Sequence, residues 1–128
     1  MIECCIRYNN ESITAIFVKG HAQYSGLHDI VCSSVSTAII VTINAIELLD
    51  LNNKISFKLK KGYFKLILLE SNLIVNKLLQ NIKYTLKDLS QQYQKSLRIK
   101  LIKNTNKKRA LVMLKLNIQL FATLVSAF

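Results

Sequence analysis

Ile2, Cys4, Ile6 and Tyr8 alternate with Glu3, Cys5 and Arg7, a period of two that predicts a strand. The polar residues 9–12 turn the chain. The β-branched and aromatic residues of 13–19 then predict a second strand ending at Gly20, so the chain opens with a hairpin. From Ile30 the spacing changes to three and four. Val31, Val35, Ala38, Thr42, Ile46 and Leu49 predict a helix to about Leu49, with Asp29 as its N-cap. Ile55, Phe57 and Leu59, a break at Lys60, Lys61 and Gly62, and residues 63–69 predict a second hairpin, one face kept wet by Lys58, Lys60, Lys61 and Lys65. Ser71 and Asn72 can cap a second helix through about Tyr93, with Ile74, Leu78, Ile82, Leu86 and Leu89 on one stripe. Leu97, Ile99 and Leu101 alternate with Arg98 and Lys100, which predicts a last strand. The order ββαββαβ, with its strands in hairpins, predicts an α+β, two-layer fold: a mainly antiparallel sheet with two helices on one face.

Length and composition fit one domain. The chain has 128 residues, 51% of them hydrophobic, with no proline and three glycines, so it contains no low-complexity linker. Residues 104–109 separate the folded unit, 1–103, from a tail, 104–128. The first ten residues hold an early acid and no apolar core, which does not match a signal peptide. The longest uncharged run, 30–46, carries serines, threonines and an asparagine, too polar for a membrane span, and predicts a buried helix. A cytoplasmic protein without membrane contact is expected. Three cysteines, two of them adjacent, make a poor disulfide framework and imply free thiols. Charge is divided unevenly, −3 over residues 1–53 and +14 over 54–128. Such a basic half can meet RNA, a ribosome or an acidic membrane surface, although lysines spread singly along strands and helices are commonly just solvated.

With Asp29 as the N-cap, Cys32 takes the third helical position, where unbonded backbone N–H groups and the positive end of the helix dipole favour a thiolate. The thiolate is the attacking form, and the same N–H groups can hold the oxyanion of a tetrahedral acyl intermediate. A base is then required. His21 stands eleven positions before Cys32, enough chain for a loop to fold it back to the sulfur; His28, beside the expected cap, is the other histidine. Plainer readings compete, since a buried cysteine commonly serves as a small hydrophobe and a strand-end histidine as a structural group. A metal set of His21, His28, Asp29 and Cys32 matches none of the usual zinc spacings, so no metal or cofactor is expected. Cys4 and Cys5 lie in a strand, where neighbours face opposite sides, with no helix terminus to activate either.

The segments GHAQY at 20–24 and DIVCSSVS at 29–36 resemble the ribosomal-processing cysteine protease family, Prp, whose hallmark is a Gly-His-Ala segment followed by Asp-Ile-Val-Cys at a helix start. The resemblance extends more loosely over about residues 1–103. It implies a cytoplasmic endopeptidase, usually a homodimer, that removes a short N-terminal extension from large-subunit ribosomal protein twenty-seven. By motif it implies Cys32 as nucleophile, His21 as general base and Asp29 as the group that orients or charge-stabilises the site. Ser36, one turn beyond Cys32, falls with Gly20 and Ala22 on positions implied to meet the substrate. The chain departs from the pattern in three places: the loop between histidine and cysteine is one residue shorter, the glycine before the aspartate is displaced to Gly26, and Ser33 and Ser34 replace a small apolar pair.

The tail carries a second resemblance. MLKLNIQLFAT at 113–123 is similar to the extension that the family removes, a Leu-Asn-Leu-Gln-aromatic-Phe-Ala-Ser pattern cut between Phe and Ala. The corresponding bond is Phe121–Ala122, with Ile118, Leu120 and Thr123 as the substitutions. Without that likeness the alternation of Leu114, Leu116, Ile118 and Leu120 would predict an edge strand or an exposed apolar peptide. The leading expectation is a cysteine endopeptidase acting on a ribosomal protein, its own tail either a tethered substrate or inhibitor or the fused echo of a neighbouring gene start, with a protease inactivated by its shortened loop or occupying tail as a further reading. The rival is a non-catalytic, basic ribosome- or RNA-associated protein. Nucleic-acid contact is secondary in the first reading and primary in the second.

Overall fold

The structure, a computed structural model, describes residues 1–20 and 26–104, with the backbone alone for residues 26–29. Its elements follow the expected order: β1 (Ile2–Asn9), β2 (Ser12–Lys19), α1 (Gly26–Leu48), β3 (Ile55–Lys60), β4 (Tyr63–Leu68), α2 (Leu73–Gln92) and β5 (Leu97–Lys103), with a short 3-10 turn at Asn52–Lys54 before β3. The five strands form one sheet in the order β3-β4-β2-β1-β5. Every pairing is antiparallel except β1 with β5, which run parallel because α2 carries the chain back across the helix layer.

Local chemistry explains the turns. Asn10 sits at φ 57, in the left-handed region that asparagine tolerates, and closes β1 onto β2 in a two-residue turn. Gly62 at φ 75 does the same between β3 and β4. In β2 the register shifts opposite Arg7 and Tyr8, leaving Thr14 unpaired against β1. This bulge lets Ile13 and Ile16, an odd number apart, both reach the core. The helix above is tied to it: the Ile13 N–H donates to Asn76 Oδ1 at 3.2 Å, and Gln80 Nε2 donates to the Glu11 carbonyl at 2.9 Å.

One core lies between the sheet and the two helices. Cys4, Ile6, Ile16, Val18, Phe64 and Leu66 from the sheet meet Val31, Val35, Ile39 and Ile46 of α1 and Val75, Leu79, Ile82 and Leu86 of α2. Each such aliphatic side chain contributes about 1.5–3 kcal/mol through its burial. Asn72 caps α2 as its spacing suggested, accepting from the Val75 N–H at 3.0 Å.

Three expectations shift. The α2 stripe is turned: Val75 and Leu79 are buried where Ile74 and Leu78 were expected, and Ile74 is 50% exposed. The leucine-rich segment offers two overlapping stripes, and docking against α1, β5 and β2 selects one. In α1, Ile39 and Ile43 join the buried side while Ile30 and Leu49 are exposed, so the helix is covered on one side only and leaves Ile40, Val41 and Leu48 outside. By length and composition Ile30–Leu48 could cross a membrane, yet its inner side belongs to the same core as the sheet, as in a core helix. Lastly, α1 begins at Gly26 and not after Asp29. Nothing in residues 26–29 is proline or β-branched, so the backbone has no reason to stop the helix at the aspartate.

Candidate functional site

The helix start changes the position of Cys32. As the seventh residue of α1 it stands in the second turn, whereas the N–H groups left unbonded by the helix are those of residues 26–29. The field of a helix terminus falls off within its first turn, so Cys32 draws less from it than a third position would give. His28 and Asp29 now precede it by four and three residues on the same helix, which puts both positions one turn away. Asp29 is therefore a first-turn residue and not the cap. Its side chain, like that of His28, lies outside the described residues.

Cys32 is half-buried, packed against the core, and its thiol is free. It lines a small pocket of about 50 Å³ together with Ser36, Gly20, Leu59, Gly62 and Tyr63. The helical spacing of four aligns Cys32 with Ser36 along this wall. The opposite wall is built by the end of β2 and the β3–β4 hairpin.

Gly20 fixes how those walls meet. Its φ of +140 is a conformation that side chains rarely adopt, and a Cβ there would run into the Met1 carbonyl oxygen and the Ile2 Cα. Its N–H donates to the Gly62 carbonyl at 3.1 Å. The first residue of the Gly-His-Ala segment is thus required by close backbone packing, and the chain bearing His21 departs from the rim of the Cys32 pocket. His21 and Ala22 themselves lie outside the described residues, as do Phe121 and Ala122 of the tail.

The other thiols are placed differently. Cys4 faces the core, and burial, aided by the neighbouring Cys5, pushes its thiol from 9.0 up to about 12, which leaves it without thiolate near neutrality. Cys5 points to the opposite face of the sheet, where it lines a cavity of about 500 Å³ remote from α1. Of the three cysteines, Cys32 alone lies on a helix at a pocket shared with the start of the histidine segment.

Site residues contributed by the β3–β4 hairpin, Leu59, Lys60, Gly62 and Tyr63, were not anticipated. Their own pattern shows a hairpin; that it sits beside Cys32 depends on β4 pairing with β2, which no local signal discloses. Among the described residues the same strand order leaves the outer edge of β3 unpaired. Phe57 and Leu59, on the helix side of that strand, are 46% and 45% exposed.

An α+β fold with a half-buried thiol on its first helix, facing a glycine-stitched strand end, defines a candidate cysteine-nucleophile site. Residues 1–98 match the family model of cysteine protease Prp, and the chain belongs to that family. Solved structures share the fold. Protein SMU.848 from Streptococcus mutans is 22% identical with a TM-score of 0.71, over 81% of this chain and 96% of that one. The ribosomal-processing protease Prp of S. aureus matches in two forms. With a substrate peptide it is 24% identical at a TM-score of 0.70, and with a covalently linked product peptide 25% at 0.69; each covers 79% of this chain and 99% of that one. No match was found among curated proteins.

Proposed function

We propose that the chain is a cytoplasmic cysteine endopeptidase, acting as a homodimer, that removes the N-terminal extension of large-subunit ribosomal protein twenty-seven by cutting after phenylalanine in a KLN(L/I)Q-x-F/A motif. The observation that carries this reading is the shared pocket: Cys32, Ser36 and Gly20, the last directly preceding His21, line one small cavity. Membership of the protease family and the peptide complexes of the S. aureus relative support it.

In this reading His21 takes the proton of the Cys32 thiol, and the sulfur attacks the phenylalanine carbonyl. Backbone N–H groups of the first turn of α1 receive the oxyanion, His21 returns its proton to the leaving amine, and water then releases the acyl-enzyme. Asp29 orients the site, while Ser36, Gly20 and Ala22 meet the substrate. The peptide enters extended, adding a strand to the outer edge of β3 so that its alternate apolar residues rest on Phe57 and Leu59. The tail, with Phe121 and Ala122 at the corresponding bond, is a tethered substrate mimic whose local concentration reaches about 1 mM and competes with the true substrate.

The test is mass spectrometry of the purified chain beside Cys32→Ser, together with a synthetic KLNIQLFAT peptide offered to a version ending before Met113. A species ending at Phe121 in the wild type and absent from the variant, or peptide cleaved after phenylalanine by the shortened version, supports the proposal. An intact tail and an intact peptide would end it.

A further inference from the structure

The helices cover one face of the sheet, and among the described residues no element covers the other. Strand register decides which residues share that second face. Lys58, Lys65, Phe17, Cys5 and Lys100 stand opposite one another in a row across all five strands. Two residues along, the next row adds Lys60, Lys19 and Arg98 around Tyr63 and Glu3; on the other side Arg7 stands next to Ala15. The residues between these rows, among them Cys4, Ile6, Val18 and Phe64, turn to the helices and are buried, so alternation alone sends the cations outward.

The face is strongly basic, and Glu3 is the acid within its rows. Among the described residues the only ion pair is Lys54 with Glu70, on another part of the surface. At the centre of the face lies a ring. Phe17 is half-buried, with the Arg7 guanidinium 5.9 Å and the Lys65 ammonium 6.0 Å from its centroid. Tyr63 adds a second aromatic, 37% exposed. Between the ring and the cations runs a groove of about 500 Å³.

We propose that this second sheet face binds single-stranded RNA, its phosphates running over the lysine and arginine rows and one base stacking on Phe17. An aromatic ring on an open sheet, flanked by cations, is a stacking platform of the kind that single-stranded nucleic acid uses. Unstacked bases in loops and ends are the state in which RNA is commonly read. A second copy of the chain fits poorly, because a two-fold contact would set one basic face against another. An acidic peptide would satisfy the cations but give the ring no role. The assignment stands independently of the proteolytic reading, since Phe17, Cys5, Lys65 and Lys100 lie across the sheet from Cys32, although Lys60 and Tyr63 also border its pocket.

The experiment is fluorescence anisotropy of the full chain with a labelled, unstructured 12-nucleotide RNA across a series of potassium chloride concentrations. About four phosphate contacts give an expected log–log salt slope of about −3. Lys58→Glu/Lys65→Glu/Lys100→Glu is expected to weaken binding at least ~30-fold. Phe17→Leu should weaken it about tenfold while leaving the salt slope unchanged. Lys77→Glu/Lys87→Glu/Lys95→Glu, an equal change of charge on α2 and just beyond it, should stay within about threefold of wild type. Should the first triple variant fail to melt cooperatively, Phe17→Leu and Lys100→Ala carry the test. The proposal is overturned if the α2 variant loses as much as the sheet variant or if Phe17→Leu binds like wild type. It is equally overturned if polyglutamate of matched charge displaces the RNA as well as unlabelled RNA does, or if DNA of the same sequence binds more tightly.

Discussion

The Gly20 N–H donates to the Gly62 carbonyl across 3.1 Å, a bond that stitches the end of β2 to the β3–β4 turn at the rim of the Cys32 pocket. It depends on Gly20 lying where a side chain would strike the Met1 carbonyl. Gly20→Ala is therefore expected to lower the free energy of unfolding by about 2–4 kcal/mol, combining backbone strain with steric displacement. Urea denaturation checks it; a change below about 0.5 kcal/mol would mean that Met1 and Gly20 are not in this contact. Loss of peptide cleavage should accompany the destabilisation, since the segment bearing His21 would leave the sheet from a shifted point.

Cys32→Ala and His21→Ala are each expected to lower kcat/KM for the KLNIQLFAT peptide by about 10³-fold or more, as removal of a nucleophile or its base does. With α1 starting at Gly26, His28 occupies the position one turn before Cys32 and is a second base worth separating from the first. His28→Ala should cost less than about tenfold. The reverse order of the two histidine variants would transfer the role of base to His28.

How far the residues could be read in advance depends on how local their causes are. Strands, turns and the Asn72 cap answer to alternation, left-handed positions and one side-chain acceptor, all carried by neighbours in the chain, and the ββαββαβ order follows from them. The motif cysteine and histidine stand out for the same reason. What escaped is set by distant partners. The buried stripe of α2 is chosen by its packing on α1, β5 and β2, where Asn76 meets Ile13; Leu59 and Tyr63 join the pocket because β4 pairs with β2. The start of α1 escaped differently. Asp29 is a good cap by type, but a good cap residue need not be a cap when no residue before it stops the helix.

The turned stripe can be measured directly. Leu79→Ala and Val75→Ala remove fully buried side chains, and Leu79→Ala should cost about 2–5 kcal/mol. Ile74→Ala, at a position half exposed to water, should stay within about 1 kcal/mol. Equal costs at 74 and 79 would restore the stripe expected from spacing alone.

Cys4 gives the fold a dependence on alkaline pH. Its thiol titrates near 12 in the folded chain against 9.0 when exposed, chiefly because burial disfavours the thiolate. Between these values the unfolded chain sheds the proton first, so the folded state binds more protons and stability falls as pH rises. The contribution is fully present below pH 9 and is lost on passing through the window from 9 to 12, amounting to about 4 kcal/mol at most. Cys4→Val should flatten the stability curve over that window relative to wild type. In the wild-type chain at pH 8, iodoacetamide should modify Cys32 and Cys5 while sparing Cys4 until the chain unfolds.

In the proposed reading, the outer edge of β3, unpaired among the described residues, decides how a substrate is held. If an extended peptide adds there as a sixth strand, its backbone bonds to β3 and its apolar side chains rest on Phe57 and Leu59, which the helices leave about half exposed. Leu59→Asp puts a charge under one of those side chains at a position exposed enough to keep folding costs within about 1 kcal/mol. It should raise KM for the peptide about tenfold or more with a smaller change in kcat, the signature of lost binding rather than lost chemistry. Lys61→Asp, in the adjoining turn and exposed, alters charge without touching that surface and should change KM less than about threefold. A fall in kcat with KM unchanged for Leu59→Asp would place the peptide elsewhere and leave Leu59 as a wall of the Cys32 pocket only.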